Sequence, residues 1–209
     1  ITRGGAATTR VISTVDNGDD EDWMLNFPTA AVSGATTGDS DTNLALDPEG
    51  FLRVSDFNGF QRDFLVAPPK FLSNLSGFTD PYFEYDFRYF DGGEPLFPTE
   101  IRLLGDGSVY QFLGEIPEAG KWIRIHVPLT SGAWRRISGN SSFTAVLQNV
   151  QRIEVSMEHA PGPETNDLDN FRFNGSAPAP PTGPGGPDLS DFETGVDGWT
   201  RNFPASPLP

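Results

Sequence analysis

Hydrophobic and polar positions alternate along residues 82–90, where Phe83, Tyr85, Phe87 and Tyr89 fall on one side of an extended chain and Glu84, Asp86 and Arg88 on the other. A period of two is that of a strand with one face in a core. Residues 122–127, Trp-Ile-Arg-Ile-His-Val, repeat the pattern. Further short apolar or aromatic runs occur at 9–14, 51–57, 64–67, 100–104, 109–113, 150–158 and 168–173, each bounded by Gly, Pro, Asn or Asp. Gly105-Asp-Gly107, between two of these runs, reads as a tight hairpin. Only residues 141–149 have a helical period, with Phe143, Val146 and Leu147 three and four apart and Ser141 or Ser142 available as N-cap. One short helix among about nine strands predicts an all-β, antiparallel β-sandwich.

After residue 173 the composition changes. Residues 175–187 form a Pro/Gly-rich linker, extended and unable to supply a core. Beyond it, Trp199-Thr-Arg-Asn-Phe-Pro204 repeats Trp23-Met-Leu-Asn-Phe-Pro28, with 199 − 23 giving a spacing of 176. One inserted residue places Asp16 opposite Glu193 and Gly18 opposite Gly195. Residues 188–209 are therefore expected to be the start of a second copy of the domain in residues 1–174. They are too short to form a core of their own.

Composition narrows the possible partners. Against 29 acidic residues stand 14 basic ones, and a net charge of −15 repels phosphate backbones and anionic lipid, so nucleic acid and membrane insertion are not expected. With no cysteine, disulfides, thiolate metal sites and cysteine nucleophiles are excluded; animal extracellular domains often carry disulfides, so the expected setting is a microbial secreted or cell-surface protein. A start at Ile1 and the lack of a bilayer-length apolar stretch fit a processed product or a fragment. Among 29 carboxylates no acid–base pair is singled out, and His126 and His159 have no Ser or Cys motif near them. A non-enzymatic role is expected, and His126, on the Arg124 side of its strand, is expected at the surface.

Taken in order, Asp16, Gly18 and Trp23, Gly50-Phe-Leu-Arg-Val-Ser-Asp56, Phe64-Leu-Val-Ala-Pro-Pro-Lys-Phe-Leu72, residues 82–90, Trp122 with Val127-Pro-Leu129, Trp134, Phe143-x-x-Val-Leu147, Asn149-Val150, Ile153 and Leu168-Asp-Asn-Phe171 resemble a laminin B (laminin IV type A) domain over nearly all of residues 12–174. The resemblance implies a jelly-roll-like sandwich related to carbohydrate-binding modules, found in extracellular matrix and bacterial surface proteins, without catalytic residues. The cysteine-rich modules that flank vertebrate members have no counterpart here.

The resemblance also implies a structural Ca²⁺ held by an acidic residue of the first strand and an Asp of the last, which would be Asp16 and Asp169 here, with Glu193 in the second copy and Asp39 and Asp41 adding oxygens from a loop. The alternative is that Asp169 and Asn170 cap a turn and residues 19–22 form a solvated loop. Sugar binding needs exposed aromatic platforms beside polar groups, for which Trp134 and Tyr110 are the candidates, although the resemblance favours a core position for Trp134. Asn74, Asn140 and Asn174 open N-x-S sequons. The expected function is that of an extracellular structural or adhesive module. It would act in a tandem array with neighbouring repeats, or as a filament subunit whose tail docks on an identical subunit through Phe192, Trp199 and Phe203; the alternative is a carbohydrate-binding module of a larger protein, with glycans as partners.

Overall fold

The structure, a computed structural model, describes residues 8–16, 18–26, 42–57 and 62–177. The chain divides into two units, Ile1–Pro178 and Ala179–Pro209, and the second lies outside the described residues. The tail positions Phe192, Glu193, Trp199 and Phe203 lie there, as Asp39 and Asp41 lie in the undescribed stretch before residue 42.

Twelve strands and one α-helix occur among the described residues. In chain order they are β1 Thr8–Ser13, β2 Met24–Leu25, β3 Asn43–Asp47, β4 Phe51–Asp56, β5 Phe64–Val66, β6 Thr79–Asp91, β7 Glu100–Gly105, β8 Ser108–Leu113, β9 Trp122–Pro128, β10 Arg135–Ser138, α1 Phe143–Gln148, β11 Arg152–Ser156 and β12 Glu164–Ser176. They form two antiparallel sheets, one ordered β3-β4-β12-β6-β9 with β1 added beside β12, the other β10-β8-β7-β11-β5-β2. The result is the expected jelly-roll-like antiparallel β-sandwich. No helix among the described residues is long and apolar enough to cross a membrane.

The alternation read in residues 82–90 determines how the first sheet lies on the second. Phe83, Tyr85, Phe87 and Tyr89 are all buried in the core shared with Ile101, Leu103, Ile153 and Val155 of the facing sheet, while Glu84, Asp86 and Arg88 turn outward. The Gly105-Asp-Gly107 turn is the expected two-residue hairpin between β7 and β8, with both Asp106 (φ 47°) and Gly107 (φ 67°) left-handed. For α1 the N-cap is Ser142, whose hydroxyl accepts the Ala145 N–H at 3.2 Å. Ser142→Ala is expected to cost about 0.5–2 kcal/mol in urea unfolding, and no change would show that packing of Phe143, Val146 and Leu147 alone holds the helix.

The long strand β12 changes partner midway. Residues 164–168 pair with β4, residues 171–176 pair with β1, and β6 lies along the other side throughout. At the changeover the register with β6 shifts between Asp169 and Arg172, and Asn170 adopts a left-handed φ of 53°. Such a bulge inserts one residue and resets the alternation. It returns Phe171 to the core face, where its ring meets Trp23 and Phe71 edge-on at 5.2 and 4.9 Å and stacks with Phe83 and Tyr85 at 5.4 and 5.8 Å. It also leaves Asp169 and Asn170 together at a junction of strands.

Candidate functional site

The outward face of the sheet that holds β4, β12, β6 and β9 carries rows of side chains in register. One row runs Arg53 on β4, Asp167 on β12, Arg88 on β6 and Trp122 on β9; the next runs Asp169, Asp86 and Arg124; a third runs Arg172, Glu84 and His126. Facing side chains on adjacent strands stand close enough to interact directly.

In the first row Asp167 is fully buried and is held by two guanidiniums. Arg53 donates from Nε at 2.8 Å and Arg88 from Nε at 2.8 Å and Nη2 at 2.7 Å. A buried carboxylate survives only with such charge-assisted bonds. Arg53 also pairs with Asp47 at 3.0 Å. Aromatic rings cover this cluster. The Arg88 guanidinium lies 4.6 Å from the Trp122 ring centre, 4.9 Å from Phe90 and 5.1 Å from Phe51, and Phe51 meets Trp122 edge-on at 5.5 Å. Trp122 is thereby held in place while 41% of it remains exposed.

Beside Trp122 opens a pocket of about 460 Å³ lined by Asp86, Trp122, Ile123, Arg124 and Asp169. Its polar groups are fixed by one another. Arg124 binds Asp86 with Nε at 2.7 Å and Nη2 at 2.8 Å, and Asn170 Nδ2 donates to Asp86 Oδ2 at 3.1 Å and to Asp169 Oδ2 at 2.8 Å. The left-handed backbone at Asn170 also turns its own N–H onto Asp169 Oδ1 at 2.6 Å. Burial, and after it the charges of Asp16 and Asp86, push the Asp169 carboxyl up to about 6, against the pull of the Asn170 N–H. An exposed indole face beside preset donors and acceptors suits the ring and hydroxyls of a sugar.

β1 does lie beside β12, so Asp16, just beyond β1, reaches the same junction as Asp169. Gly50 packs against it so closely that a Cβ would stand 2.8 Å from Asp16 Oδ1. Among the described residues no group of three or more His, Cys, Asp or Glu could hold a metal ion. Asp16 and Asp169 would supply two of the six to eight oxygens that Ca²⁺ takes, the rest being left to backbone carbonyls and water.

The expected sugar platforms need correction. Trp134 and Tyr110 are 6% and 8% exposed core residues. Trp134 donates Nε1–H to the Pro128 carbonyl at 2.8 Å and packs on Phe143, and the Tyr110 hydroxyl donates to the Ser141 carbonyl at 2.9 Å. Trp122 by contrast alternates outward with Arg124 and His126, a signal already present in residues 122–127. Asn74 and Asn140 are exposed, and Asn174 sits half-buried on β12.

No family model and no curated protein matches the chain. Among solved structures it is similar to the L4b domain of human laminin alpha-2, with TM-score 0.57 at 11% identity over 82% of this chain and 98% of that one. It is also similar to part of an agarase, with TM-score 0.57 at 15% identity over 83% of this chain and 25% of that one. An exo-beta-agarase matches with TM-score 0.50 at 15% identity over 80% and 25%. The chain thus spans a quarter of the length of either agarase, and what it shares with all three is a fold, that of a laminin-L4b-like β-sandwich.

Proposed function

We propose that this chain is a non-catalytic extracellular glycan-binding module that holds a sugar chain on the outward face of the sheet that holds β4, β12, β6 and β9. The observation that carries the reading is Trp122, an exposed indole fixed by Arg88 and Phe51 at the rim of a pocket whose hydrogen-bonding groups, Asp86, Arg124 and Asp169, are preset. A ring held rigid before binding loses little entropy when a sugar stacks on it.

Trp122→Ala is expected to weaken the best ligand on a glycan array by about tenfold or more, which corresponds to loss of about 1.4 kcal/mol. Retained thermal unfolding would show that the sandwich is intact. A glycan array empty for the wild-type protein, or an unchanged affinity in the variant, would overturn the proposal.

A structural role as one bead of a tandem array is compatible with this site and has its own support. Trp23, the counterpart of Trp199, fills the core of its own sandwich, donating Nε1–H to Ser13 Oγ at 2.9 Å and meeting Phe171 edge-on. The slot that a donated tail would need is occupied, which favours a second domain beginning at residues 188–209 over docking of Phe192, Trp199 and Phe203 on an identical subunit.

A further inference from the structure

Phe90 continues the outward alternation of Glu84, Asp86 and Arg88 on β6, and 45% of it is exposed. The Arg88 guanidinium that lies 4.6 Å from the ring centre of Trp122 also lies 4.9 Å from that of Phe90, and Arg53 lies 4.6 Å from Phe90. Both guanidiniums are anchored on the buried carboxylate of Asp167, so both approach the rings from the sheet side. The Arg88 and Arg53 side chains are 16% and 27% exposed, less than either ring. The rings thus cover the cations, and one guanidinium bridges Trp122 on β9 and Phe90 on β6. Their centres stand no further apart than the two Arg88 distances laid end to end.

The guanidiniums of these rows are committed. Arg53 binds Asp47 and Asp167, Arg88 binds Asp167, Arg124 binds Asp86 and Arg172 binds Glu84. A sugar bearing a carboxylate would have to break one of these pairs, and it would approach a chain of net charge −15. The two exposed rings offer apolar area instead, which suits the C–H faces of uncharged pyranoses.

On the Phe90 side the same face opens into a second pocket, of about 350 Å³, whose lining includes Ser55, Asp91 and Thr165. Thr165 pairs across the sheet with both Ser55 and Asp91, the residue after Phe90, and its hydroxyl lies 3.3 Å from that of Ser55. The two rings therefore stand between two pockets that carry hydrogen-bonding groups. Resting on the glycan-binding reading, we infer that the ligand is an uncharged linear glycan that runs across the strands from the pocket at Trp122 to the pocket at Thr165, with Phe90 as its second stacking platform.

Calorimetry near pH 7 tests this with the disaccharide and the hexasaccharide of three uncharged chains, β-1,4-glucan, β-1,3-glucan and β-1,4-galactan, and with hexagalacturonate as the acidic counterpart. An uncharged hexasaccharide is expected to bind at least about tenfold more tightly than its disaccharide, which occupies the Trp122 pocket alone, and hexagalacturonate is expected not to bind. Phe90→Ala is expected to remove the length advantage while cooperative unfolding and the affinity for the disaccharide are retained; Phe90→Tyr is expected to keep the advantage. Equal affinities for the two lengths, an advantage that survives Phe90→Ala, loss of the disaccharide as well in that variant, or a preference for hexagalacturonate would overturn the assignment. Failure of all three uncharged chains to bind also overturns it. In that case the glycan-binding reading stands if the array still shows a Trp122-dependent ligand, and falls with this inference if the array is empty.

Discussion

Phe171→Ala is expected to destabilise the sandwich by about 3–5 kcal/mol, lowering the melting temperature by on the order of 10 °C. The ring is fully buried and touches four others, Trp23, Phe71 and, on β6, Phe83 and Tyr85, drawn from three segments of the chain. Neighbours anchored in different parts of the chain cannot all collapse into the space, so both the lost transfer energy and the cavity count. A domain of this size has roughly 5–15 kcal/mol in total, so the variant should still fold at low temperature. Urea unfolding that shows a loss below about 1 kcal/mol would mean that the bulge at residues 169–170 relaxes and refills the core.

The second large effect is a fall in stability from neutral to mildly alkaline pH. At one end of the core, burial pushes the Glu158 carboxyl up to about 8, with the neighbouring charges of Glu164, Asp56 and Asp63 adding to it and that of Arg62 opposing. Burial likewise raises Glu164 to about 7, although the His159 and Ala160 backbone N–H groups and Asn166 Nδ2 all donate to it at 2.7–2.9 Å. For both groups the folded state holds its proton more tightly than the unfolded chain does. Their stabilising contribution is full below pH about 4.5 and is lost as pH rises through about 7 to 8.

His159 works in the opposite direction. Buried and neutral, it is lowered to about 4, so its contribution is present above about 6.5 and lost on acidification. Between pH about 6.5 and 8 the two glutamates therefore decide the slope. Stability should decline by a few kcal/mol across that interval, since each unit of displacement is worth about 1.4 kcal/mol before solvent screening. Glu158→Gln should flatten the decline and melt higher than wild type at pH 8. A melting temperature that rises from pH 6.5 to 8, or a variant with the wild-type slope, would contradict this account.

The strands at residues 122–128, and the core face of residues 82–90, were legible because their apolar and polar positions alternate without interruption. The short strands β2, β3 and β10 were not expected, since pairs such as Met24 and Leu25 or the exposed run Arg135–Ser138 carry no period and owe their conformation to neighbours. β12 begins at Glu164 rather than near residue 168 for a related reason. Glu164, Asn166 and Asp167 are polar yet buried, Glu164 accepting backbone N–H groups, Asn166 donating to the Met157 carbonyl and Asp167 held by Arg53 and Arg88, and a hydrophobic pattern does not register such positions. Trp122 shares its parity with Arg124, which places it outward in the sequence pattern alone.

By itself the sequence determined the fold class, the inward face of the principal strands, the hairpin at residues 105–107 and the capped helix, because each follows from periodicity and local backbone preference. Only the tertiary structure decided that Asp86, Trp122, Arg124 and Asp169 meet in one pocket. They lie on three strands, β6, β9 and β12, joined by connections of many residues, and their meeting depends on pairing register and on a one-residue bulge. Long-range register is set by how whole faces pack together, a property that no local stretch of residues contains.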